Sequence, residues 1–110
     1  MERFVKGDVV VLLFPFSDLS GSKKRPALVI ANILGDDLIL CQITSTARID
    51  DYSIFLGTDD FIDCGLQQTS LIRPNKIFTA DKSIISYRVG HLSAQKIKEA
   101  EEKLIKIFQQ

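Results

Sequence analysis

The chain has 110 residues, 45% of them hydrophobic, with fourteen Lys and Arg balanced by fourteen Asp and Glu. That length supplies one hydrophobic core and is too short for two, so one domain over residues 1–110 is expected. A neutral, moderately apolar composition excludes a disordered tail and a generally basic nucleic-acid coat, and any anion-binding surface has to be local.

The opening "MERFVKGDVVVLLFPF" contains an apolar run of eight residues, too short to cross a bilayer and followed by no small-residue cleavage site. Gly7-Asp8 signals a turn, and Val9 to Phe16 is β-branched and aromatic, which predicts a strand with Pro15 near its end. "SDLSGSKK" reads as a polar loop. "PALVIAN" and "LILCQITS", joined by the turn "LGDD", predict a hairpin over residues 26–44. "YSIFL", "TSLIR" and "NKIFT" add short strands, the last two separated by Pro74. Five or six short strands in about eighty residues imply a small, strongly bent sheet or barrel.

The C-terminal segment changes period. After Ser93, a good N-cap, Ile97, Ala100, Leu104 and Phe108 recur at helical spacing with Lys and Glu between them, which predicts one amphipathic helix. A helical turn is expected at "DKSIIS", leading through "YRVG" to His91. Cys41 and Cys64 lie in apolar surroundings without a CxxC spacing and are expected to be buried, reduced thiols of a cytosolic protein.

His91 is the single histidine, so a two-histidine ribonuclease mechanism is excluded, and its place before the helix cap suggests a structural role. GxSxG, P-loop and HExxH motifs are absent. What remains is a set of polar residues at strand ends: Arg25 opens "PALVI", Thr44 and Ser45 end "LILCQI", and Arg73 follows "TSLI" with Asn75 close behind. Hairpin strands run antiparallel, so Arg25 and Thr44 are expected to be neighbours. A guanidinium fork beside a hydroxyl suits a phosphate; equally, such residues can simply solvate a strand edge.

"KGDVVVLLFPFSDLSGSKKRPALVIAN" resembles the opening of the MazF/PemK (Kid) toxins of type II toxin-antitoxin systems, and the likeness continues through "CQITS", "TSLIRPNKIFTADKS" and "VGHLS". The resemblance implies an SH3-like small β-barrel with a C-terminal α-helix, a homodimer and a cognate antitoxin. It also implies cleavage of single-stranded RNA without a metal, leaving 2',3'-cyclic phosphate and 5'-hydroxyl ends. Arg25 falls on the family's catalytic arginine, Thr44 on the residue that holds the scissile phosphate, and Arg73 on an arginine used by Kid-like members. Ser45 and Asp18 are supporting candidates. Lys23, Lys24, Phe16 and Arg48 are candidates for RNA contact, with Tyr52 as a further aromatic that could stack on a base.

Two departures stand out against that pattern. Asn75 occupies the place of a catalytic aspartate, and an amide is no proton acceptor of useful strength, which leaves the general base open among Glu2, Asp18 and an arginine. Phe78 replaces a frequent arginine. A non-catalytic toxin on the same fold, a CcdB-like gyrase inhibitor or a member that binds without cutting, is the alternative.

Overall fold

β-Branched and aromatic runs form the strands, and the 3.6-residue period of the last segment turns it into a helix. The computed structural model describes residues 3–15, 22–33, 35–45, 51–66 and 68–110, with the backbone alone at 14, 15, 22 and 23. Among them are β1 (Asp8–Pro15), β2 (Ser22–Asn32), β3 (Asp37–Thr44), β4 (Ile54–Leu56), β5 (Phe61–Cys64), β6 (Ser70–Asp81), β7 (Ile85–Leu92) and α1 (Ala94–Phe108). The seven strands pair antiparallel in one sheet ordered β4-β6-β3-β2-β1-β7-β5. The sheet curls into a half-barrel, giving the expected mainly-β fold with one C-terminal helix.

Both faces of the central strands are buried. On one face Val9, Leu28, Cys41, Ile43, Ile54 and Ile72 pack toward Ala100 of α1, with Ile97 against them. On the other, Val10, Leu12, Ala27, Val29 and Leu40 gather with Phe4. Two-sided burial is why β1 reads as a continuous apolar run and not as an alternating one. Ser93 caps α1, its hydroxyl accepting the Lys96 N–H at 3.3 Å. Ala100 and Leu104 are buried as the periodicity predicts, whereas Phe108, in the last turn of the helix, is 69% exposed.

Several expectations need correction. β2 starts at Ser22, so Lys23 and Lys24 are strand residues opposite Phe14 and Leu13 and do not belong to a loop; β1 runs on to Pro15 and supplies the pairing partners. "TSLIR" and "NKIFT" form one strand, β6. The irregularity at Pro74 is absorbed as a bulge, with Cys41 opposite Ile77 and the next residue, Gln42, opposite Arg73. β5, in a segment with Gly and three aspartates, and β7, beyond the predicted turn, were not anticipated. The turn itself is the short 3₁₀ segment Lys82–Ile84. Cys41 is buried, and burial pushes its thiol up to about 12. Cys64 is exposed at the end of an edge strand, contrary to expectation.

The start of β1 is tied to β5 and β7 by a polar knot. The buried Asp8 carboxylate accepts the Val5 N–H at 2.9 Å and the Arg88 Nε–H at 3.1 Å, and lies 2.8 Å from His91 Nδ1. Asp63 takes the other side of Arg88 at 2.9 Å and the His91 backbone N–H at 2.7 Å. The hydrogen bond from Arg88 is the chief reason the Asp63 carboxyl is held below the usual range, and the same bond, followed by that to Asp8, raises Arg88. Gly90 is required here: a Cβ at that position would stand 2.5 Å from the Asp63 carbonyl oxygen.

Candidate functional site

The strand register sets the site. Ala27 pairs with Gln42, and Gln42 pairs with Arg73, so β2, β3 and β6 bring these three residues into one cross-strand row. Carrying the register two residues further sets Arg25 across from Thr44, which pairs in turn with Leu71. Directly opposite residues, and residues two apart, share a face. Arg25, Thr44, Gln42 and Arg73 therefore occupy one face, with Thr44 about 5 Å from Arg25 and about 7 Å diagonally from Arg73 at the level of the backbone. Arg25 and Arg73 are half-buried and the Nε of each is shielded from solvent, while Thr44 is buried.

Lys24, Pro26, Ile43 and Ser45 alternate onto the opposite face. A cavity of about 700 Å³ opens at this end of the strands, with Lys24, Arg25, Thr44, Ser45, Leu66, Gln68, Ser70 and Tyr87 in its lining. Two cations and two hydroxyls at the mouth of an apolar-floored cleft can hold a tetrahedral oxyanion, the fork taking two oxygens and a hydroxyl donating to a third. Among the described residues, no group of three or more His, Cys, Asp and Glu side chains is arranged to hold a metal ion.

The cavity thus unites Arg25, Thr44, Ser45 and Lys24, while Arg73 and Asn75 do not line it. Asn75 is exposed in the β6 bulge, on the Arg73 side of Thr44. Phe78 packs against the second core cluster, so the missing cation at that position is an apolar substitution and not an open surface. Tyr52 shares hydrogen bonds of 3.1 and 2.8 Å with Gln110 and stands away from the cavity. His91 lies in the Asp8 knot, at the end of β1 remote from the Leu12–Arg25 pair. Glu2, Phe16, Asp18 and Arg48 fall outside the described residues, as does the side chain of Lys23. Gln42, Gln68, Ser70 and Tyr87 were missed by sequence reasoning. Gln42 could have been found from its place two residues before Thr44, whereas the other three come from segments that only the fold brings near.

Over residues 5–108 the chain matches the family described as PemK-like, MazF-like toxin of type II toxin-antitoxin system. It belongs to that family. Comparison with curated protein sequences gives no match. Among solved structures, a MazE-MazF crystal structure from Deinococcus radiodurans is 20% identical with a TM-score of 0.76, covering 96% of this chain and 95% of that one. An endoribonuclease from a Mycobacterial species is 18% identical with a TM-score of 0.75, covering 99% and 94%. Mycobacterium tuberculosis toxin MazF-mt6 is 17% identical with a TM-score of 0.69, covering 91% and 96%. At these identities the likeness establishes the PemK/MazF fold. Among the described residues, no helix is long and apolar enough to cross a membrane.

Proposed function

We propose that this PemK/MazF-family chain is a single-domain, sequence-selective endoribonuclease toxin that cuts single-stranded messenger RNA and is neutralised by a cognate antitoxin. The observation that carries the reading is the convergence of Arg25, Thr44 and Ser45 on one open cavity at the ends of adjacent strands. Rigid strands suit catalysis because they hold the phosphate-binding groups within fractions of an ångström. The complexes of similar toxins with antitoxins support the partner, and the family resemblance supports a homodimer.

In the proposed reaction the RNA 2'-oxygen attacks the adjacent phosphorus and the bond from phosphorus to the 5'-oxygen breaks. The 2'-hydroxyl proton passes to a base and the leaving oxygen gains a proton. Arg25 stabilises the phosphorane charge and protonates the leaving oxygen, with Thr44 positioning the phosphate and Ser45 supporting it. Arg73 approaches from the β6 side of Thr44 and adds a second cation. Lys23, Lys24, Phe16 and Arg48 hold the flanking strand.

The test is incubation of the purified protein with a long single-stranded RNA in EDTA, with the fragment ends mapped. Cuts at a short recurring sequence with 5'-hydroxyl ends are expected, reduced about 10²- to 10³-fold in Arg25→Ala. Absence of cleavage by folded wild-type protein would sink the catalytic reading and favour a toxin that acts by binding.

A further inference from the structure

The floor of the cavity has a chemistry of its own. Val11 pairs with Pro26 on one side and with Tyr87 on the other, and the β2–β3 register sets Ile43 beside Pro26. One cross-strand row, Ile43–Pro26–Val11–Tyr87, therefore floors the cavity. Ile43 and Val11 are buried, yet Tyr87 is 51% exposed and belongs to neither core cluster. Gln68 and Ser70 contribute an amide and a hydroxyl to the same cavity, and none of the described residues lining it is acidic.

We infer that this floor is part of a nucleobase subsite, in which an unpaired base next to a phosphate held at Lys24 and Ser45, beside Arg25, stacks on Tyr87. The base lies over the Val11–Pro26 floor and turns its polar edge to Gln68 and Ser70. The inference rests on the RNA-cleavage reading and adds to it the residues that grip, and help to select, the neighbouring nucleotide. Three features argue for a base. An apolar floor ending in an exposed aromatic matches a π-face, amide and hydroxyl groups match a base edge, and Lys24 and Arg25 match the attached phosphates. The volume of about 700 Å³ leaves room for a nucleotide. An aromatic held in a strand is also less costly to engage than one on a free segment, because little conformational freedom is lost on stacking.

The chain has two tyrosines and no tryptophan, so Tyr52→Phe leaves Tyr87 as the sole tyrosine emitter. That variant is titrated with a random-sequence pool of single-stranded 2'-O-methyl RNA, which resists cleavage, while the anisotropy of labelled RNA reports saturation. Tyr87 emission is expected to fall by more than half at saturation. Tyr87→Ala is expected to bind about tenfold more weakly and Tyr87→Phe to bind as wild type. In the cleavage assay, removing the base beside the mapped cut is expected to erase the difference between wild type and Tyr87→Ala. Unchanged emission at saturating RNA, or wild-type affinity in Tyr87→Ala, overturns the subsite while leaving the nuclease reading intact. Quenching by a poly-glutamate peptide but not by RNA overturns it in favour of a protein-docking groove. No RNA binding and no cleavage together overturn both.

Discussion

Replacing Asp8 tests whether the knot at the start of β1 holds the sheet together. Its carboxylate is 2% exposed and serves one backbone N–H, from Val5, and two side chains, Arg88 and His91. One neutral hydrogen bond contributes about 1 kcal/mol and two bonds between a carboxylate and cationic or imidazole groups about 1.5–3 kcal/mol each, a gross of about 4–7 kcal/mol. The Arg88 side chain is 36% exposed and keeps Asp63, and His91 is 22% exposed, so both recover water when Asp8 is removed. Asp8→Ala is therefore expected to cost about 2–4 kcal/mol. Asp8→Asn should cost less, about 1–2 kcal/mol, because the amide oxygen still accepts from Val5 and the His91 tautomer can turn to accept from the amide, leaving mainly the Arg88 bond broken. Urea unfolding at fixed protein concentration measures both. With a slope of about 1.5 kcal/mol per molar, a loss of 3 kcal/mol lowers the midpoint by about 2 M. An Asp8→Ala midpoint within 0.3 M of wild type, roughly 0.5 kcal/mol at that slope, or an Asn variant as damaged as the Ala variant, would refute the reasoning.

Three further outcomes follow from the packing and the charges. Gly90→Ala should destabilise by about 1–3 kcal/mol and loosen β5 from β7, read as faster amide exchange at Phe61–Cys64, since its Cβ would press on the Asp63 carbonyl. An aromatic disulfide reagent should titrate Cys64 in the native protein and reach Cys41 only on unfolding, Cys41 being buried with its thiol pushed up to about 12. Asp63 has its folded-state pKa below the unfolded value, so the stability it contributes is present above about pH 4 and is lost as the pH falls through the lower, folded value. Acid unfolding of Asp63→Asn should accordingly show a shallower loss of stability below pH 4 than wild type; equal slopes would mean that Asp63 is not a linked group.

The legible parts of this fold were those governed by local chemistry. The β2–β3 hairpin follows from two apolar runs around Gly35, and α1 from a capped 3.6-residue period. The neighbourhood of Arg25 and Thr44 followed from antiparallel pairing alone. β5 was illegible because its sequence, "FIDC", is short, interrupted by the charged Asp63 and held by long-range contacts: pairing with β7, and Asp63 bound to Arg88 and His91. β7 was hidden by its polar outward residues, Ser86, Tyr87 and Arg88, which break the apolar signal although both neighbouring strands pair with it. The same reason hid Tyr87 from the site: nothing local in "ISYRVGHL" points to Arg25, and only the Val11 register joins them.

The open question of the proton acceptor can be put to the bulge in β6. The register shift leaves Pro74, Asn75 and Lys76 without partners on β3, so the chain at Asn75 stands out beside Arg73, across Thr44 from Arg25. A phosphate held between the two arginines would have Arg25 on one side and residue 75 on the other, which is where in-line geometry wants acid and base. An amide there is no acceptor of useful strength for the 2'-hydroxyl proton of the proposed reaction. Asn75→Asp supplies a carboxylate on an exposed surface beside Lys76 and Arg73, ionised at neutral pH. Because a positioned base contributes about 10²–10⁴ in rate, cleavage is expected to rise at least tenfold and to follow the carboxylate titration on its acid limb. The assay is single-turnover cleavage of one mapped site from pH 4 to 8, wild type against Asn75→Asp, with Arg25→Ala as the inactive reference. A rate within twofold of wild type across that range would show that position 75 does not reach the 2'-hydroxyl, and would move the search for the base to the other side of Arg25.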